Sequence, residues 1–113
     1  MEEDLVATGR VIRLETQGRA SERTRAVTIG YVEEPDGSLL VAARSDAADW
    51  ARNLDANPAC RVTMGARTWG AVAEPLGRED HVRAIRALIL RYGTPSEDLG
   101  RGPSFRLRPI VRD

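Results

Sequence analysis

The chain of 113 residues contains no lysine, one cysteine and one histidine. All 17 basic residues are therefore arginine, and they balance 17 acidic residues to a formal net charge of zero. Balanced charge argues against nucleic acid or an anionic membrane as partner. A single cysteine, Cys60, excludes an intramolecular disulfide framework and a cysteine-rich zinc site. Aromatic residues make up only 4%. No long apolar run follows the acidic Met1–Glu2–Glu3–Asp4 start, so neither a secretory signal nor a membrane span is expected, and the cytoplasm is the expected setting. No carboxylate pair, Ser/His/Asp constellation or metal-ligand spacing is visible. If the protein is an enzyme, a bound cofactor carries the chemistry.

A chain of this length fits one domain, residues 1–113, with 1–7 read as a loose lead-in. Strand character is found at Arg10–Thr16, Ala26–Glu33, Ser38–Ala43, Cys60–Met64, Arg67–Ala73 and Phe105–Val111. Pro35–Asp36–Gly37 and Gly65–Ala66 are turns that convert neighbouring strands into hairpins. Residues 78–92 form the clearest helix, with an expected apolar stripe of Val82, Ile85, Leu88, Ile89 and Tyr92. Gly93 and Pro95 end it, and 94–104 reads as loop. A second helix is expected around Trp50 and Leu54, capped by Ser45 or Asp46 and ended by Asn57 in a left-handed conformation before Pro58. Hairpins dominate, so the fold class is mainly β (α+β), a small antiparallel barrel with two flanking helices.

Two stretches could contact a ligand. The glycine-led loop after Gln17 carries Arg19, Ser21, Arg23 and Arg25, whose forks suit phosphate or carboxylate. A solvated loop whose arginines pair with Glu15 or Glu22 explains the same residues. Trp50 and Asn53 can stack on and hydrogen-bond a ring; equally, Trp50 can be packing and Asn53 a surface polar group. Cys60 alternates onto an apolar face and reads as an inert core thiol. His81 reads as a solvated surface residue and Trp69 as packing.

The segment from Val11 to Arg25 resembles the strand and phosphate loop of the deazaflavin-dependent nitroreductase family, which typically reads Thr-Gly-Arg-Lys-Ser-Gly with an Arg three positions on. Trp50 to Pro58 is similar to that family's Trp-Tyr-x-Asn-Leu-x-Ala-Asn-Pro. The strand after Pro58, Ala71–Val72–Ala73 and Pro109–Ile110–Val111 also fit, so the likeness covers residues 8–111. It implies a split β-barrel of the FMN-binding type, usually a homodimer. It further implies reduced coenzyme F420 as cofactor, with FMN or no cofactor as alternatives, and a hydride passed to a quinone or nitro compound. By position, Arg19, Ser21 and Arg25, with Arg23 beside them, would hold the cofactor phosphate and acidic tail. Ala43, Arg44 and Ser45 would line the strand end beside the ring, with Trp50 and Asn53 near it.

The chain departs from that pattern at Ala20 (Lys in the family), Glu22 (Gly) and Ala51 (Tyr). The family's Ser-Lys-Gly-Gly segment is shortened to Arg44–Ser45–Asp46. The aromatic C-terminal loop that supplies a tyrosine proton donor is replaced, leaving Tyr92 as the nearest tyrosine. These departures support an alternative reading: a non-catalytic split-barrel protein that binds a flavin-like cofactor or acts as a dimeric interaction module.

Overall fold

The computed structural model describes residues 2–19 and 23–110. Seven antiparallel strands form one sheet in the order β2-β1-β5-β6-β7-β4-β3. They are β1 (Ile12–Gln17), β2 (Thr24–Ile29), β3 (Val32–Glu33), β4 (Leu39–Ala42), β5 (Ala59–Met64), β6 (Arg67–Pro75) and β7 (Ser104–Pro109). Helices α1 (Glu2–Ala7), α2 (Asp49–Ala56) and α3 (Arg78–Tyr92) accompany them, with a 3-10 helix at Thr94–Arg101.

The two edge strands, β2 and β3, are consecutive in sequence and separated only by Gly30 and Tyr31. Such a short link spans roughly 10 Å at most, so the sheet must curl until its edges approach each other. The result is a split barrel. Its interior is filled by alternate residues of the strands, among them Ile12, Leu14, Leu39, Val41, Val62, Ala71, Phe105 and Leu107. Helix α2 adds Ala51 and Leu54 to the same core. Strand β4 is buried at every position, which a barrel strand manages only if both faces are covered. Leu39 and Val41 join the interior cluster, while buried Ala84 and Leu88 belong to α3, which packs against β4 from outside.

Several expectations are corrected. Residues 2–7 are helical rather than a loose lead-in: the Gly65 N–H donates to the Val6 carbonyl (2.8 Å) and fixes α1 to the β5–β6 turn. Among the described residues there are thus three α-helices rather than two, and 94–101 is a 3-10 helix rather than loop. Of the apolar stripe expected for α3, Leu88 is buried and Ile85, Ile89 and Tyr92 are half-buried, whereas Val82 is exposed and the buried Ala84 completes the covered face. Helix α2 starts later than expected, with Ala48 as its cap. Ser45 Oγ instead accepts the Ala47 N–H within the preceding turn (3.2 Å). Asn57 is extended (φ −145°, ψ 103°) rather than left-handed, since Pro58 disfavours helical geometry at the residue before it. The expected strand at 26–33 breaks at Gly30, where the chain passes from one sheet edge to the other.

Ion pairs tie α3 to the sheet. Arg83 meets Glu34 (2.6 Å), and Arg106 reaches both Glu34 (3.7 Å) and Asp80 (3.6 Å), linking α3 to β7 and the β3–β4 turn. No helix among the described residues is long and apolar enough to cross a membrane.

Candidate functional site

The β1–β2 loop is closed at its base, where the Gly18 N–H donates to the Arg23 carbonyl (2.7 Å). Its tip, Ala20 to Glu22, and with it Ser21, lies outside the described residues. Arg19, in the described part of the loop, stands over the start of α2. Between them opens a cleft of about 540 Å³ bordered by Arg19, Arg25, Val27, Asp49, Trp50 and Asn53. Two arginines and one carboxylate, Asp49, border this cleft.

Arg19 is held in place. Its Nη1 donates to Asn53 Oδ1 (2.8 Å) and to the Asp49 carbonyl (3.2 Å), and Nη2 lies 3.6 Å from the Asp49 carboxylate. Asn53 is only 3% exposed, so it is not the surface group that helical spacing suggested. Its amide is consumed on both sides, donating to Thr16 Oγ1 (3.0 Å) while accepting from Arg19. A buried amide persists because both ends are satisfied. Arg25 projects from exposed edge positions of β2.

A second cleft of about 500 Å³ adjoins the first, sharing Ala48 and Trp50 as common wall. Its other walls come from the end of β2 (Thr28, Ile29), from Ala43 and Arg44 after β4, and from Leu88, Tyr92 and Leu99. Apart from Arg44 its lining is mostly apolar. Trp50 is half-buried and rests on Phe105, with ring centroids 6.1 Å apart and planes tilted by 58°. The wall at 43–45 is shaped by Gly102: a Cβ there would lie 2.5 Å from the Ala43 carbonyl oxygen and 2.7 Å from the Ser45 nitrogen.

Of the residues singled out from sequence, Arg19, Arg25, Trp50 and Asn53 thus border one cleft, and Ala43, Arg44 and Trp50 the other. Arg23 and Ser45 line neither. Sequence reading missed Thr16 as the partner of Asn53, and Leu88 and Leu99 as cleft walls. Nothing local to those residues distinguishes them from ordinary strand and helix positions.

Tyr92 borders the second cleft, but its hydroxyl is occupied. It accepts from the Tyr31 N–H (3.0 Å) and Arg91 Nε (2.9 Å) and donates to the Arg10 carbonyl (2.7 Å). His81 is half-buried rather than solvated, with Nδ1 2.6 Å from Ser104 Oγ. Cys60 is half-buried and burial pushes its thiol up to about 11, as suits an inert group. Trp69 packs against the core with its indole N–H buried and without a partner among the described residues.

Comparison with known proteins agrees with this architecture. An F420H2-dependent quinone reductase of Mycobacterium tuberculosis (strain H37Rv) is 29% identical over 70 residues, covering 59% of this chain and 47% of the relative. The Mycobacterium bovis counterpart matches to the same extent. The chain spans about half the length of the curated relatives it matches. Among solved structures, the heme storage protein HutZ of Vibrio cholerae superposes with a TM-score of 0.77 at 23% identity, over 97% of this chain and 88% of that one. The F420-H2 dependent reductase FDR-A superposes with a TM-score of 0.74 at 22% identity, over 88% and 94%. At these identities the superpositions establish the split-barrel fold. The sequence match that carries the family is longer, spanning residues 4–96, which include the arginine loop, both shared walls and α2. The chain belongs to the F420H2-dependent quinone reductase family.

Proposed function

We propose that this chain binds coenzyme F420 along the joined clefts and serves as a reductase for a small organic acceptor, a quinone or a nitro compound. One observation carries the reading: a cleft edged by Arg19 and Arg25 adjoins an apolar one edged by Ala43 and Leu88, with Ala48 and Trp50 lining both. That arrangement suits an elongated ligand with an anionic end and a flat, weakly polar end. Arg19 and Arg25 hold the phosphate and acidic tail. Trp50, Ala43 and Arg44 border the ring, and these walls restrict how it is presented to the acceptor. When bound, the reduced coenzyme supplies the hydride. Ser21 belongs to the same proposal as a tail contact.

The test is a fluorescence titration with F420, with FMN in parallel, on the wild type and on the Arg19→Ala/Arg25→Ala double variant. Tight F420 binding that the double variant loses, together with F420H2 oxidation by menadione only when the protein is present, is the expected result. Equal affinity in both proteins overturns the arginine assignment.

A second reading has its own support. The Tyr92 hydroxyl is engaged by two donors and the Arg10 carbonyl, so the tyrosine nearest the apolar cleft is a poor proton source. A protein that binds F420 without turnover fits that feature, and binding without menadione-dependent oxidation selects it. A homodimer and a cytoplasmic setting complete the proposal. Exposed Val72 and Ile110 on β6 and after β7 offer apolar surface for a second copy, and an unpaired thiol at Cys60 suits a reducing compartment. Sedimentation of the purified chain decides the first point.

A further inference from the structure

Arg19 is aimed by a relay that begins inside the barrel. Thr16 is 2% exposed and lies near the end of β1, beside the edge strand, paired with Arg25 of β2 on one side and Cys60 of β5 on the other. Its Oγ1 accepts a hydrogen bond from Asn53 Nδ2 (3.0 Å), and Asn53 Oδ1 accepts one from Arg19 Nη1 (2.8 Å). The relay has a direction. A guanidinium only donates, so Asn53 must turn its oxygen outward, and the hydroxyl of Thr16 is the acceptor that keeps the amide nitrogen inward. Alanine or valine at position 16 would leave the amide without that reason to stay.

The choice of a neutral partner also matters. A buried carboxylate at position 53 would hold Arg19 more strongly but cancel its charge. The carboxylate that does approach, Asp49, is 85% exposed and 3.6 Å away, so solvent screens it. The amide therefore fixes the guanidinium while leaving its positive charge available to an anion.

We propose that Thr16 and Asn53 are positioning residues of the anion site: Thr16 orients the Asn53 amide, and Asn53 points Arg19 at a phosphate-bearing ligand without neutralising it. This rests on the reading above that Arg19 grips the anionic part of the cofactor. For Asn53, which the resemblance placed near the ring, it assigns a role through Arg19: each amide atom already makes one hydrogen bond, to Arg19 or to Thr16.

Two measurements test it, one with no ligand present. In the ligand-free protein, nitrogen-15 NMR of the arginine side chains should show slow rotation of the Arg19 guanidinium. Thr16→Val, which keeps the shape and removes the acceptor, should release it, and Thr16→Ser should not. In F420 titrations, Thr16→Val should weaken binding about fivefold, the scale of one lost hydrogen bond, and have no further effect in an Arg19→Ala background. Asn53→Asp should keep the Arg19 rotation slow yet weaken F420 binding.

Thr16→Val weakening binding equally with and without Arg19 would reduce Thr16 to a structural role. An Arg19 guanidinium that rotates freely in the wild type, or is unchanged by Thr16→Val, overturns the relay outright. Should the wild type bind no F420, the cofactor reading falls, and the ligand-free spectra still decide whether Thr16 and Asn53 orient Arg19.

Discussion

The hydroxyl of Tyr92, at the end of α3, accepts the backbone N–H of Tyr31 at 3.0 Å. Tyr31 is the residue at which the chain crosses from one edge of the sheet to the other, so a helix side chain supplies the hydrogen bond that no strand supplies there. The Tyr92 ring also lies against Gly30, where a Cβ would meet it at 2.8 Å. Tyr92→Phe should lower stability by about 1–3 kcal/mol, because the Tyr31 N–H loses its partner. Because that hydroxyl has a structural task, the folded fraction of Tyr92→Phe should oxidise F420H2 at the wild-type rate. Urea unfolding paired with a turnover assay measures both.

Gly30→Ala presses a methyl group onto a ring whose far end is pinned, so the ring cannot swing aside. A loss of about 1–3 kcal/mol is expected, as for other overpacked sites. Gly102→Ala should be at least as damaging, since its methyl would meet backbone atoms of Ala43 and Ser45. Its distinguishing sign is functional. The Ala43 wall moves, so F420 affinity should fall by more than the loss of folded protein accounts for, read by titration at a temperature where the variant is still folded.

Acid should loosen the turn between β3 and β4. Hydrogen bonds from the Ser38 hydroxyl and N–H hold the Asp36 carboxyl below its ordinary 3.8, and a hydrogen bond from Arg108 holds Glu74 below 4.5. A depressed folded-state value means the stabilisation is present above the ordinary value and is lost as pH falls through the folded one. The melting temperature should therefore fall below about pH 4, and an Asp36→Asn/Glu74→Gln variant should fall less steeply over the same interval. Parallel slopes for the two proteins would rule these carboxylates out as the source.

With its thiol raised to about 11, Cys60 is protonated at neutral pH. Alkylation by iodoacetamide at pH 7.5 (an assay condition on the order of physiological pH) should be slow in the folded protein and rapid in urea. Fast labelling of the native protein would show that the pairing of β5 around Cys60 opens readily.

Much of the barrel was legible from sequence because antiparallel strands with one covered face alternate, as Cys60, Val62 and Met64 do against Arg61 and Thr63. The hairpin turns announced themselves through Pro35–Asp36–Gly37 and Gly65. What stayed hidden depended on distant partners. Helix α1 is too short and acidic to be read locally, and it is fixed by Gly65, far along the chain. The burial of Asn53 needs Thr16, 37 residues earlier, to satisfy its amide. The covered face of α3 was legible at Leu88, but hydrophobicity alone adds Val82, which is exposed, and passes over Ala84, which is buried. For the site, the arginine loop and Trp50 come from residue type and spacing, and Ala43 and Arg44 only from the family resemblance. That their clefts meet at Ala48 and Trp50 is a property of the curled sheet, which no local pattern encodes.

The link at Gly30–Tyr31 makes the barrel a hoop with a single unlaced seam. Every other neighbouring pair of strands is stitched by a ladder, while β2 and β3 are joined only along the chain. Opening there breaks the fewest main-chain bonds, so the seam is where the hoop breathes first. The apolar cleft lies on that seam, walled by Thr28, Ile29 and Gly30 on one lip and Ala43 and Arg44 on the other. A flat molecule seated in it touches both lips and acts as a clasp, so occupancy and the closing of the hoop become one event.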